Sequence, residues 1–581
     1  MNPNAQIPSC HPCPPVATPW RRTVWRVLVV VWALAGCGTA GDSPSDRARG
    51  DRAAQALDVS AVAPRVAAPH LDAHWHHGAF MEIFVRAYQD SNGDGVGDLR
   101  GLISRLDYLR DLGIRGLWLM PVMPSADRDH GYATTDYRGI EPDYGSMADF
   151  DELLRQAHAR GIGVVVDYVI NHSAAEHPMF QQALQGPENR FYDWFVWSHT
   201  PPQGWDIWGK NPWYHAASRP WSHRGPIQTL PAAPPGARGF YFGTFGPHMP
   251  DFNLRHPQAL AYHEDSLRFW LNRGLDGFRL DAVPHMIENS AQNWNDQPES
   301  RQLTRRLKEL VHAYPHRYLV CEATAQPQDW GDPQVCGGAF AFGYVHHFVQ
   351  AALGKSDSVQ ALASYYQKAR PTMATFVSNH DIFAGQRLWD QVQGDEARYK
   401  LAAAGYLLQP GTPFIYYGEE VGQAGIPHLS GDFPLRGPMS WTHEPERAGF
   451  TTGRPFRPVA PNLKRYNAKE QAADPRSLLS FYKAVLKIRN TRASVARGQF
   501  ENAFAQDLVL GFERVLGQER TLVLINYGTQ PARVDLSSRQ ARAQRVFSSD
   551  DTAASAQQGA QPLSVLTLPA QSVQVWDMRA Q

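Results

Sequence analysis

The sequence has no net charge, little cysteine, and no apolar run long enough to span a bilayer as a mature helix. Lys and Arg number 56 and Asp and Glu number 56, so no basic surface suggests nucleic acid as a partner. Cysteines number five, and only Cys37, Cys321 and Cys336 lie beyond the first 36 residues. Cys321 and Cys336 could pair in an oxidising compartment, but Cys321 lies inside an apolar strand and reads as a small buried residue rather than half of a disulfide. The apolar stretch from Val27 to Gly36 is too short to cross a membrane. At 581 residues the chain exceeds one core, and two to four domains are expected. Tryptophan is plentiful at 17, which suits stacking on flat apolar ligands and suits aromatic cores equally well.

That short apolar stretch has the form of a targeting segment. Arg21, Arg22 and Arg26 precede it, and it ends in Leu34-Ala35-Gly36-Cys37, which resembles a bacterial lipobox. The resemblance implies cleavage before Cys37 and a lipid anchor on that cysteine, with a plain signal peptide cut nearby as the alternative. The chain is then exported, as a periplasmic or cell-surface lipoprotein. Gly38 lacks the aspartate associated with inner-membrane retention, which points to the outer membrane. Residues 37–75 are rich in Ala, Asp, Arg, Ser and Pro without hydrophobic period and read as a flexible tether.

Four stretches carry the chemistry. Gly277-Phe278-Arg279-Leu280-Asp281 is a buried strand that places Arg279 and Asp281 on one face. Taken alone it could be a structural ion pair. Three further apolar strands end in acids, amides or histidines: Val164 to His172 with Asp167 and Asn171, Tyr318 to Glu322, and Phe376 to Asp381 with His380. Strands alternate with helical periodicity, as in Met147 to His158 with Phe150, Leu153 and Leu154 apolar. That rhythm argues a parallel α/β fold with right-handed crossovers. Strands expected at 81–86, 116–121, 164–172, 277–283, 317–322, 338–345, 373–378 and 412–417 make eight, the number of a TIM barrel, and place the polar strand ends at one mouth.

In that order the four stretches resemble the signature regions of the α-amylase superfamily of glycoside hydrolases, from about Met81 to the C-terminus. The resemblance implies a (β/α)8 TIM barrel over 76–173 and 249–492, a B domain inserted after the third strand over 174–248, and a C-terminal antiparallel β-sandwich over 493–581. It makes Asp281 the nucleophile, Glu322 the general acid/base, and Asp381 the residue that binds two hydroxyls of the glucose being distorted. Arg279 keeps Asp281 ionised, Asp167 orients Arg279, His172 and His380 bind the same glucose, and Asn171 and His285 are structural. In Asp129-His130-Gly131-Tyr132, Tyr132 matches the tyrosine that stacks on that sugar. Asp129 matches the acid that grips the non-reducing end in exo-acting α-glucosidases, and Ala133 departs from the usual aspartate. Arg436, in Leu435 to Trp441, falls in a loop similar to one beside the leaving-group subsite of bacterial α-glucosidases. A retaining pair of carboxyls is expected roughly 5–5.5 Å apart.

The loop Asp90 to Asp98 spaces oxygen ligands for a hard cation. Asp90, Asn92, Asp94 and Asp98 alternate, the Val96 carbonyl adds a ligand, and Gly95 supplies the sharp turn. Calcium is expected, as in α-glucosidases of this superfamily; a polar turn capping the next helix, Leu99 to Leu112, is the alternative. The insertion holds Trp194, Trp197, Trp205, Trp208, Trp213 and Trp221, read mostly as packing with some as sugar platforms. Met249 to Asn253 has the form found in intermediate superfamily members of mixed specificity. Asp474-Pro475 reads as the start of the last barrel helix, and Leu508 to Leu516, Thr521 to Tyr527 and Ser572 to Trp576 as strands of a structural sandwich.

The expected function is a secreted retaining α-glucan hydrolase of α-amylase type, cleaving α-1,4 bonds of starch or maltodextrins by double displacement. The alternatives are an exo-acting α-glucosidase on short malto-oligosaccharides and a glucosyl-transferring relative such as a trehalose synthase. A non-catalytic transporter subunit is disfavoured, because all three acids are present.

Overall fold

The computed structural model describes residues 57–580 apart from 128, 201, 218–220, 223–224, 227–238 and 551–558. The signal segment and lipobox lie outside the described residues. Eight parallel strands form the central sheet: β1 Phe80–Ile83, β2 Gly116–Leu119, β3 Gly163–Tyr168, β4 Gly277–Leu280, β5 Tyr318–Cys321, β6 Ala339–Phe340, β7 Met373–Ala374 and β8 Phe414–Tyr416. Their order is β7-β6-β5-β4-β3-β2-β1-β8, and a parallel bridge from Thr375 to Pro413 closes the ring. Every strand is buried along its length, which is why the stretches read as unbroken apolar runs. The strands are shorter than expected, because the segments past them turn inward as loops that carry the polar side chains. Gly277 opens β4 at φ 150°, and a Cβ there would fall 1.8 Å from the Tyr318 carbonyl oxygen, so only glycine lets β4 and β5 approach.

The C-terminal domain begins at β9 Gln499–Gln506 and continues through β10 Val509–Leu516, β11 Glu519–Asn526, β12 Ala532–Asp535, β13 Ala541–Ser548, β14 Gln561–Pro562, β15 Val565–Leu568 and β16 Ser572–Ala580. A six-stranded antiparallel sheet, β9-β10-β11-β16-β13-β14, faces the pair β12-β15 across a core of Leu522, Leu524, Val534, Leu568 and Trp576. Buried Arg514 ties this domain to the barrel, donating to the carbonyls of Leu408 at 3.1 Å and Gly498 at 2.9 Å.

Several local readings need correction. Cys321 and Cys336 are joined in a disulfide. The chain leaves β5, loops out and returns to β6, and Cys321 pairs in register with Ala339, so Cys336 arrives beside it with a Cα–Cα distance of 6.3 Å, within bridging range. Residues 58–74, read as tether, lie along the helix Pro257–Asn272. The Val62 N–H donates to Asp265 at 3.1 Å, the Arg65 N–H to Asn272 at 2.8 Å, and His70 stacks on His158 at 4.5 Å. Barrel side chains thereby satisfy a backbone that has no ladder of its own. The last barrel helix runs Leu478–Thr491 with Ser477 as its cap, accepting from the Ser480 N–H; Asp474 instead accepts from the Arg476 N–H in a local turn. The first helix breaks at Arg105 into Leu99–Ser104 and Leu106–Leu112, and ends at Gly113 in the left-handed region.

Candidate active site

Alternation within a strand and register between strands bring the charges together. Asp167 on β3 lies in register with Arg279 on β4, and Asp281 and Glu322 are the first residues past β4 and β5. Arg279 is buried and serves three carboxylates. Its Nη1 meets Asp167 at 2.8 Å and Asp281 at 2.5 Å, and its Nη2 meets Glu322 at 2.8 Å. Asp281 and Glu322 therefore sit on neighbouring nitrogens of one guanidinium. Ala282, next to Asp281, holds a left-handed φ of 51° and donates its N–H to Glu322 at 3.1 Å, a backbone cost that fixes the acid in place. Burial pushes the Asp281 carboxyl up; Arg279 opposes this, while Glu322 and Asp167 add to it. Asp167 also accepts from Trp118 and from the Tyr132 hydroxyl at 2.8 Å, so it holds both Arg279 and Tyr132.

A second charge cluster surrounds His380. Its Nδ1 lies 2.6 Å from Glu82 on β1 and its Nε2 lies 3.1 Å from Asp381. Burial would push this imidazole down, but the two carboxylates raise it to about 10, so it is a cation at neutral pH. Burial would likewise raise Asp381, yet His380 and Arg436 hold it well below the usual carboxylate range. Tyr132 stacks on His380 with ring centroids 5.4 Å apart. His172 borders the cavity, and burial lowers its imidazole to about 3, so it is neutral. Asn171 donates to Asp251 at 3.0 Å, tying β3 to the end of the insertion.

Arg436 gathers three acids at one side of the site. It contacts Asp129 at 3.1 Å, Asp381 at 3.1 Å and Asp432 at 3.1 Å. Asp129 is also gripped by Arg457 at 2.7 Å. Asp127 shapes the loop beneath, accepting the N–H groups of Asp129, Gly131 and Ala133. A cavity of about 640 Å³ is bordered by Tyr132, His172, Asp281, Glu322, Asp381, Asp432 and Arg436 together with Trp208, Phe245 and Phe383, with Asp129 and Arg457 packed behind Arg436. Of the insertion's tryptophans, Trp194 is buried and Trp197 stacks on Tyr192; Trp208, 61% exposed, lines the cavity. The side chain of Trp221 lies outside the described residues.

Sequence reasoning missed Glu82, Asp127, Asp432, Arg457 and Phe383. Glu82 had a signal, a glutamate within the apolar run Phe80 to Phe84. The others sit in loops without periodicity.

In the loop 90–98, the Asp90 carboxylate accepts from the N–H groups of Asn92, Gly93 and Gly95, and Asp94 accepts from Val96. Asn92 and Asp94 meet at 3.2 Å. Asp98 caps the helix, accepting from Ser91 and from the Gly101 N–H. Gly95 has φ 90°, and a Cβ there would fall 1.9 Å from the Arg454 carbonyl oxygen. The residue types and their spacing are those of a hard-cation loop, while the Asp90 and Asp98 carboxylates accept from backbone N–H groups and hydroxyls of the loop and its neighbours. Among the described residues no three His, Cys, Asp or Glu side chains already converge as a ligand group.

Comparison with known proteins agrees with this layout. The model of the alpha-amylase catalytic domain matches residues 82–498. The chain belongs to the α-amylase family. This family member is 32% identical over 514 residues to the trehalose synthase/amylase TreS of Mycobacterium tuberculosis, across 79% of this chain and 83% of that one. It is 26% identical over 530 residues to an oligo-1,6-glucosidase of Parageobacillus thermoglucosidasius, across 78% and 90% of the two chains. Among solved structures, the α-glucosyl transfer enzyme XgtA superposes with a TM-score of 0.72 at 26% identity, over 88% of this chain and 100% of that chain. The protein is thus an enzyme acting on glycosidic bonds, with the barrel and antiparallel C-terminal sheet of its family.

Proposed function

We propose that this enzyme removes one α-glucosyl unit at a time from the non-reducing end of a short α-glucan, passing it to water or to a sugar hydroxyl. The observation that carries this reading is the wall formed by Asp129, Arg436 and Arg457 beside Asp381. An endo-acting cleft needs room for further sugar units where this wall stands. The starch-cleaving α-amylase expected from Met249 to Asn253 therefore gives way to the exo-acting reading. The names of the relatives, a trehalose synthase/amylase and an oligo-1,6-glucosidase, favour small substrates and transfer as well as hydrolysis.

In this reading Asp381 and Arg436 bind hydroxyls of the terminal glucose, and Tyr132 stacks on its face. Asp281 attacks the anomeric carbon while Glu322 donates its proton to the departing oxygen. The covalent glucosyl ester is then opened by water or a sugar hydroxyl, whose proton returns to Glu322. Arg279, held by Asp167, favours the charged form of the attacking carboxylate and so opposes its burial. An early product profile from maltoheptaose tests the reading. Glucose alone from the first minutes supports it, as does glucose with products longer than the substrate. A spread of maltose, maltotriose and longer pieces overturns it.

We also propose that Asp90, Asn92, Asp94, Asp98 and the Val96 carbonyl hold a structural calcium ion. The segment packed on this loop, with the Thr451 hydroxyl on Asp90 and the Phe456 N–H on the Gly95 carbonyl, leads directly to Arg457. A bound ion would brace one side of the pocket wall. Calcium should raise the Tm and Asp90→Asn should abolish that rise; equal Tm in calcium and chelator sinks the proposal. Export and anchoring through Cys37 to the outer membrane is the third element, supported by the Cys321–Cys336 disulfide, which suits an oxidising compartment. Loss of membrane association in Cys37→Ser, measured by fractionation, is the expected result.

A further inference from the structure

The closed end of the pocket leaves the question of where the rest of a substrate lies. Glu322 stands where a leaving oxygen must be protonated, so the chain beyond the cleaved bond departs on its side. The segment that follows Glu322 lines two spaces in succession. Thr324 borders the catalytic cavity, and Gln326, two residues on, borders a second hollow of about 540 Å³. A pair of rings makes the same step. Phe383, 61% exposed, borders the catalytic cavity; its ring centroid lies 5.8 Å from that of Phe342, which borders the second hollow. The two spaces are therefore neighbours, linked by the segment from Thr324 to Gln326 and by the Phe383–Phe342 ring contact.

We propose that the second hollow is a distal acceptor site, and that it holds the far units of a linear α-glucan whose non-reducing glucose occupies the catalytic pocket. This rests on the exo-acting reading above and extends it to chain length. The hollow is lined by Phe342 and Tyr365 together with Gln326, Gln328, Asp329 and His347. No lysine or arginine lines it, so the chemistry is that of a neutral, hydroxyl-rich ligand, with aromatic faces for sugar rings and amides and a carboxylate for hydroxyls. The platform is set in advance. Tyr365 stacks on Tyr344 with centroids 3.6 Å apart and planes 9° apart, and Tyr344 is pinned by its hydroxyl to Gln409. The other wall, Thr324 to Asp329, lies within the loop closed by Cys321 and Cys336. A wall and a platform that are fixed before binding lose little entropy when a chain is laid on them.

The test compares maltose, which fits the catalytic pocket alone, with maltohexaose, which reaches the hollow. The wild type should show the higher kcat/KM on maltohexaose. Phe342→Ala and, separately, the exposed Gln328→Ala should each lower the maltohexaose-to-maltose ratio, by about fivefold for the aromatic change, through KM. No wild-type preference for the longer sugar, or an unchanged ratio in both variants, overturns the distal site and leaves the exo-acting reading standing. If the wild type turns over neither sugar, the exo-acting reading falls instead. Maltohexaose binding to the Asp281→Asn protein, measured by calorimetry with and without Phe342→Ala, then still decides the site: weakened binding supports it and equal binding overturns it.

Discussion

The two ends of the barrel use buried arginine in opposite ways. At the mouth, Arg279 meets Asp167, Asp281 and Glu322, and its guanidinium is pushed well above its ordinary value, the carboxylates overriding burial. At the floor, Arg489 is just as buried but donates to backbone carbonyls of His77, Leu407, Gln409 and Gly411, and burial lowers it to about 9. The floor arginine uses its donors to join the segments before β1 and β8, and its hydrogen-bond partners there are carbonyls rather than acids. The mouth has a surplus of acids around each cation: three around Arg279, and two around His380. A cluster with more carboxyls than cations keeps protons in play, which is the condition for acid–base chemistry. Charge alone does not mark the site; unbalanced charge does.

The comparison can be broken most sharply by exchanging one residue at each end. Asp281→Asn should lower turnover by about 10⁴-fold or more while leaving the Tm within a few degrees; near-normal turnover refutes the nucleophile. Arg489→Met should do the reverse, leaving several buried carbonyls unpaired and costing about 3–5 kcal/mol by chemical denaturation, with kcat of the folded fraction within about twofold. A large kcat loss there would erase the distinction between mouth and floor. Between these lies the disulfide. Cys336→Ser reopens a loop of sequence separation 15 and should cost about 3 kcal/mol of stability. Arg457→Met removes one of the two grips on Asp129 and should raise KM for maltose by about tenfold, with maltose and maltotriose appearing beside glucose among the first products from maltoheptaose.

The smallest effect is in pH. His380 is raised in the folded state to about 10 from an ordinary 6.5, so folding binds a proton that the unfolded chain releases earlier. Its contribution to stability is full below pH 6.5 and fades as pH rises toward 10. His380→Asn should flatten the decline of Tm over that interval; an equal decline in variant and wild type removes His380 as its cause.

How far the site was legible depends on what kind of order held each residue. Arg279 and Asp281 stood out because charges two apart on a strand share a face, and the three further strands ending in polar residues set them apart from a structural ion pair. Asp381, Glu322 and Asp167 were legible for the same reason, as polar ends of apolar runs. Glu82 was visible as an anomaly, but its partner His380 is 298 residues away, and no local pattern joins them. Arg457 was invisible: it lies in a loop, and its role exists only because Asp129 comes to meet it. The cysteines failed for a related reason, since strand burial argued for a free thiol while the return of the chain to β6 decided the pairing. The docked stretch 58–74 has no period of its own, and its partners come from separate parts of the barrel, among them Asp265, Asn272, Arg138 and His158.

The amino-acid order determined the strand–helix alternation, the eight-fold count and the acids at the strand ends, because these follow from side-chain periodicity and backbone hydrogen bonding within short windows. The pairing of Asp129 with Arg436 and Arg457, the shared guanidinium of Arg279, the carboxylates around His380 and the contact of Phe383 with Phe342 were decided by the tertiary structure alone. Each brings together residues from separate strands or loops, and electrostatic pairing and burial act on distance in space, which sequence separation does not encode.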